Sequence, residues 1–319
     1  MDEKNEYQNL NEIPIPSQKT GKTIMHYAGK GQLYLIATDH SRSSEMCDMA
    51  EAFLSVFDRT VTQFRKANGR EIRIQAGNWR TYFENRDPQQ DDYGSFFIDL
   101  FAAGKIPPIR LEMFTPFDLS DPDLASTFGR CSFHFPLPWL KKNRAEFISH
   151  LQQWCSILKP EQGSFGIGLV CAPGMERNRT RDAWPYLSRF SGLDHPTMMD
   201  WSAPNYHAGI RAVNWLTVLD NTWIDRLGGM DEIAEGLHEE GRLHPYDGGV
   251  VIQACTHPQL GDINMHGVPE AYAAVDKLIA PHRYLDYPDK PMHLLKVPDP
   301  LDPHETTLEW LQRFEPDED

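Results

Sequence analysis

Two histidines and an aspartate, His257, Asp262 and His266, fall close together in the stretch HPQLGDINMHG. Two imidazoles and a carboxylate form a ligand set that zinc or manganese accepts, and such an ion would acidify a bound water for hydrolysis. One reading of the chain is therefore a metal-dependent hydrolase using these three side chains. Their spacing follows no helical or strand period, and loop histidines in such clusters are most often structural or solvated. His238-Glu239-Glu240 opens like a zinc-protease motif, but Arg242 stands one helical turn after His238, where the second histidine is needed.

The other compact signatures fail on residue type or context. Thr20-Gly21-Lys22-Thr23 resembles the end of a phosphate-binding loop, but Pro16 occupies the place of its first glycine. Gly163, Gly166 and Gly168 are in the wrong order for a dinucleotide fingerprint and lie inside a predicted strand. Phe190-Ser191-Gly192 lacks the glycine that precedes a nucleophile elbow. Cys155 and Cys171 stand in apolar surroundings with no basic neighbour to lower a thiol pKa. With these signatures removed, the sequence points to a protein that is not an enzyme and needs no cofactor.

The segment from Asp231 to Glu240 offers charge instead. Read as one helix, it puts Asp231, Glu235 and Glu239 at i, i+4 and i+8 on one face, with Ile233, Ala234 and Leu237 on the other. Like charges one turn apart repel by roughly 0.2–0.5 kcal/mol per pair. Asp231 and Glu232 recover part of that near the helix N-terminus, whereas Glu239 cannot. A basic partner would compensate the stripe, so Asp231, Glu232, Glu235, Glu239 and Glu240 are the candidate partner-binding residues. A merely solvated face is the commoner meaning of a charge run.

The elements around these residues follow from periodicity. Apolar residues at i, i+3 and i+4 predict helices over 44–66 and 137–158, the second with Pro138 in its first turn and Pro160 after its end. Further helices are expected over 177–190, 221–227, 231–240, 269–280 and 306–314. Strands are expected over 33–37, 72–74, 109–117, 130–135, 164–171, 209–219 and 249–255, with a weak one over 293–297. The stretch 84–92 is polar and reads as loop. The strands at 109–135 follow one another, as an antiparallel pair would. The fold class is therefore α+β: one or two mixed, mainly antiparallel sheets flanked by helices. Residues 1–24 read as a flexible polar arm, 25–315 as a single α+β domain, and 316–319 as an acidic tail. The halves 25–160 and 161–315 each carry strand, long helix and strand, which is compatible with a degenerate duplication.

Composition narrows the partners. The chain of 319 residues is 40% hydrophobic and 11% aromatic, enough for a substantial core. Its 46 acidic and 31 basic residues give a net charge of −15. That field disfavours direct binding to nucleic acid or anionic lipid and favours association with a basic protein. The five cysteines are scattered, an odd number without CxxC, as in a reducing compartment. The start MDEKNEYQNL is not a signal peptide, and no run is apolar enough to span a membrane. A cytoplasmic location is expected.

Four stretches carry a family resemblance: CSFHFPLPWL (131–140), FGIGLVCAPGMERNRTRDAWPYLSRFSGLDH (165–195), AGIRAVNWLTVLDNTWIDRLGG (208–229) and GGVVIQACTHPQLGDINMHGVPEAYAAVDKLIAP (248–281). Over about residues 30–285 the chain resembles the immunity proteins of type VI secretion, long grouped as a domain of unknown function. The resemblance implies an inhibitor made beside a secreted toxin, with a basic nuclease-like C-terminal domain as the expected target. Neutralisation would come from blocking the toxin's active site. The resemblance supplies no catalytic residues. Trp215, Gly228, Gly229, Gly261 and Asp262 match its phrases, and their expected roles are structural: a core tryptophan, turn glycines and a loop-fixing carboxylate.

Overall fold

The computed structural model describes residues 14–17, 20–35, 42–66, 68–85, 95–116, 129–195, 208–287, 289 and 294–315. The first thirteen residues of the expected arm, the end of the strand expected over 33–37, much of the loop expected over 84–92 and the acidic tail 316–319 lie outside them. The strands are β1 (Pro14–Pro16), β2 (Thr23–Leu35), β3 (Gln63–Arg65), β4 (Glu71–Arg73), β5 (Ser95–Phe101), β6 (Arg110–Pro116), β7 (Gly129–Phe135), β8 (Gln162–Cys171), β9 (Leu216–Asp220), β10 (Arg242–Tyr246) and β11 (Gly249–Gln253). The helices are α1 (Ser43–Phe57), α2 (Asn78–Glu84), α3 (Leu137–Leu158), α4 (Glu176–Leu187), α5 (Asn221–Arg226), α6 (Met230–Gly236), α7 (Glu270–Ile279) and α8 (Pro303–Leu311). All eleven strands join one sheet in the order β10-β11-β9-β8-β2-β7-β6-β5-β3-β4, with β1 paired to β2. Every pairing is antiparallel, so the fold is α+β, with one sheet and helices against it.

Several elements differ from the sequence expectation. The helix expected over 44–66 ends at Phe57, and Phe64 lies in β3. The run Thr60-Val61-Thr62 is β-branched and resists continuation as helix. The strand over 33–37 begins ten residues earlier, at Thr23, so part of the expected arm is central strand. Ile15, also in that arm, is buried through pairing of β1 with β2. α2, β5 and β10 were not expected. Residues 209–215 precede β9 instead of belonging to it, and residues 294–297 form no strand.

Alternation gives the sheet two chemically different faces. On one, Gly29 and Gly31 of β2 leave room for aromatic rings from β7 and β8. A Cβ at Gly31 would lie 2.4 Å from the Phe133 ring, and one at Gly29 would lie 3.0 Å from both Phe135 and Phe165. Phe147 and Trp154 of α3 and Phe53 and Phe57 of α1 complete the cluster, with Phe147 and Phe165 centroids 4.3 Å apart.

The opposite face is buried and ionic. Arg110 forks onto Asp99 at 2.8 and 3.2 Å, Arg65 reaches the same carboxylate at 2.8 Å, and Arg130 meets Glu112 at 3.2 Å. Arg110 also contacts Glu112, and Glu176 of α4 at 3.3 Å. Lys30 donates to the His195 carbonyl and lies 3.7 Å from Asp194. Each buried charge here has an opposite neighbour, without which its desolvation would be prohibitive. Burial pushes the Asp99 carboxyl above its ordinary value, while Arg110 pulls the other way.

His134 stands among these charges, hydrogen-bonded at 2.8 Å to the Pro107 carbonyl. Burial, assisted by the charges of Arg110 and Lys30 and by nearby His26, lowers its imidazole from 6.5 to about 3, against the pull of that carbonyl. The folded state keeps His134 neutral where the unfolded chain takes a proton. The stability it contributes is therefore complete above the unfolded value and is lost as pH falls toward the folded one. Unfolding free energy should decline through that window by up to about 1.4 kcal/mol per pH unit for one proton. Urea unfolding of H134Q across pH 4–7, roughly that same window, should give a shallower decline, and identical slopes would remove His134 as the source.

Candidate functional site

The acidic segment and the histidine loop, far apart in the chain, meet at one end of the sheet. α6 begins after Gly228 and Gly229, whose φ angles of 91° and 100° suit glycine alone. It ends at Gly236 and not at Glu240, because Leu237 turns extended. Gly236 also packs closely on α7, where a Cβ would lie 2.3 Å from Leu278. The chain then makes a turn, with the Gly241 amide donating to the His238 carbonyl at 2.7 Å, and enters β10.

The expected acidic stripe is thereby corrected. Asp231, Glu232 and Glu235 are exposed on α6, Glu239 is exposed on the turn beyond it, and Glu240 is half-buried at the cavity described below. Glu240 accepts a hydrogen bond from the Thr256 amide at 3.1 Å.

The loop that follows β11 is held by buried hydrogen bonds. Trp215, fully buried as expected of it, donates its indole N–H to the Cys255 carbonyl at 2.7 Å. The Gln259 amide donates to the Tyr272 hydroxyl at 2.9 Å. Gly192 lets the 190–192 segment approach closely, its amide donating to Leu260 at 2.7 Å. Asp262 is then gripped by Arg189, whose Nη2 lies 2.6 Å from Oδ2, and accepts from the Asn264 amide at 3.1 Å. These hydrogen bonds, Arg189's first, hold the Asp262 carboxyl below its usual range. The Asp262 carbonyl accepts from Met265 and His266 at 3.0 and 2.8 Å, closing a tight turn bounded by Gly261 and Gly267 at φ 64° and 77°.

A cavity of about 360 Å³ opens between these pieces, lined among others by His238, Glu240, His257, His266 and Glu270. It joins Glu240 to two of the three residues considered as metal ligands. Asp262, the third, is committed to Arg189. His257 lies against the Arg144 guanidinium of α3, with Nη1 3.0 Å from Nε2, a cation where a metal would need a free lone pair. Among the described residues no group of three His, Cys, Asp or Glu side chains could hold a metal ion. The metal-hydrolase reading of His257, Asp262 and His266 is corrected on that geometry.

What sequence reasoning missed is the turn itself. Ile263 and Met265 are 47% and 62% exposed, although they are large and apolar. Two large apolar residues, Ile263 and Met265, in a short loop between Asp262 and Gly267 were the available signal. The site thus offers carboxylates, imidazoles and two protruding apolar side chains on a fixed turn, which suits recognition of a surface.

Removing Arg189 should loosen that turn and little else. R189A is expected to speed amide hydrogen exchange at Asn264–His266 by about tenfold or more while leaving the strands protected. Unchanged exchange there would show that the ion pair does not fix the turn.

The comparisons with known proteins bear on the whole chain. The profile of the family described as "TsiV: Type VI immunity for VRR-NUC" matches residues 117–314, further toward the C-terminus than the 30–285 of the expected resemblance. No curated protein matches the sequence. Among solved structures, the Pseudomonas aeruginosa T6SS protein PA0821 superposes with a TM-score of 0.76 at 17% identity, covering 99% of this chain and 91% of that one. At that identity the likeness establishes the fold alone. Among the described residues, no helix is long and apolar enough to cross a membrane. The profile match spans more than half of the sequence, and on it the chain belongs to the TsiV family of type VI immunity proteins.

Proposed function

We propose that this protein binds and neutralises a cognate type VI toxin with a VRR-NUC nuclease domain, in the cytoplasm, by covering the nuclease active site without chemistry of its own. The carrying observation is the family match over residues 117–314. A nuclease must present basic groups to the phosphate backbone it cuts. A protein of net charge −15 is drawn toward such a groove and repelled by nucleic acid and anionic membrane. Asp231, Glu232, Glu235 and Glu239 are exposed and make no ion pair among the described residues, so they are free to meet basic side chains. Glu240 stands at the inner edge of the same region.

Co-expression tests the reading. The toxin encoded beside this gene should kill cells alone and spare them when this protein is present, and the purified pair should associate one to one with loss of nuclease activity. Equal killing with and without it, or turnover of a substrate by this protein alone, would overturn the proposal. The electrostatic part has its own measurement. The association rate should fall several-fold from low to physiological salt, and the triple variant D231K/E235K/E239K should slow it at low salt. A rate indifferent to both would leave a steric mechanism only.

A further inference from the structure

Four large apolar side chains are well exposed among the described residues, and two of them, Ile263 and Met265, are on the one short turn beside the cavity. The turn is not a loose loop. Arg189 holds its first residue through the side chain, and the Ile263 amide donates to the Arg189 carbonyl at 3.0 Å. Binding through these side chains would need little further backbone ordering, because the turn is already fixed. Beside them, the cavity is lined by Glu240 and Glu270, with His266 from the turn and His238 from the α6–β10 connection. Arg144 lies against His257, one of the cavity's lining residues.

We propose that the 262–267 turn is the anchor by which this protein grips its toxin: Ile263 and Met265 enter an apolar recess beside the nuclease groove, and a toxin lysine or arginine enters the cavity toward Glu240 and Glu270. The proposal rests on the immunity reading above and names its contact surface. Charge selects the occupant. A second copy of this chain would bring Glu239, Glu240 and Glu270 against their equals, which costs binding energy, whereas a basic surface is complementary to them. An apolar centre ringed by charges is also the arrangement in which few residues carry most of an interface's energy. Methionine suits the central place because its flexible, polarisable chain fills irregular recesses.

The test uses the full-length protein and the toxin's C-terminal domain inactivated at its nuclease site, with binding followed by biolayer interferometry. I263D/M265D and E270K should each weaken affinity by about tenfold or more, the first mainly through faster dissociation. L301D, which alters another exposed apolar residue outside the turn, should bind as wild type. Ile263, Met265, Glu270 and Leu301 are all exposed, so melting temperatures should stay close to wild type. Methyl-labelled methionine spectra supply a second readout: the Met265 resonance should shift on adding toxin, while that of buried Met113 should not. Wild-type binding with I263D/M265D unaffected, or an unmoved Met265 signal, overturns the anchor and leaves the immunity reading standing. Failure of wild type to bind overturns the immunity reading itself. A wild-type dimer dispersed by M265D would show that the turn receives a second copy, which also overturns the anchor.

Discussion

Ten residues of β2, Met25–Tyr34, pair in unbroken register with Cys171–Gln162 of β8. Nearly everything else is placed by that seam. β7, β6, β5, β3 and β4 extend outward from one side of it, and β9, β11 and β10 from the other. The seam works only because both strands are lined with glycine where bulk must come from elsewhere. Gly29 and Gly31 admit phenylalanine rings on one face. On the other, Gly166 admits the Asn214 side chain and Gly168 the stem of Lys30. A strand buried on both faces reads as a weak, glycine-broken pattern in sequence, and such glycines mark close approach. Their meaning becomes plain only when the rings that fill the space are known.

The same logic explains what was and was not legible. α3 and the β6–β7 pair were readable because their signals are local: a proline at the first turn, an unbroken apolar face and clean alternation. The α+β class and its antiparallel bias followed from those pieces. β5 was not readable, because Asp99 interrupts the run SFFIDLF, and an aspartate in a strand suggests a break. It is fully buried, and two arginines from neighbouring strands make that tolerable. α6 ends at Gly236, a glycine inside the acidic run that is itself a local stop signal and that packs closely on Leu278.

At the candidate site the sequence supplied the pieces without the join. The acidic segment and the histidine loop are each visible in the sequence, the first as a helix face and the second as loop histidines or, in the rival reading, metal ligands. The fold places Glu240 with His257 and His266 at one cavity and turns Asp262 away to Arg189. Arg189 lies at the end of α4, on the far side of a stretch that gave no functional signal. A carboxylate that fixes a turn and one that ligates a metal are the same residue type, and the partner alone decides between them.

Net charge alone is a weak guide, since acidity keeps many proteins soluble. Its distribution is a stronger one. Some carboxylates are matched: Asp48, Glu51 and Glu84 all converge on Arg80, and Asp99, Glu112 and Glu176 share Arg65, Arg110 and Arg130. Around α6 and the cavity, Asp231, Glu232, Glu235, Glu239 and Glu270 have no such cations among the described residues. Leaving like charges unneutralised on a short helix costs stability. A group of acids left open around one short helix and one cavity concentrates unbalanced negative field on that surface. There, next to two exposed apolar side chains on a fixed turn, a basic partner gains both attraction and a place to dock.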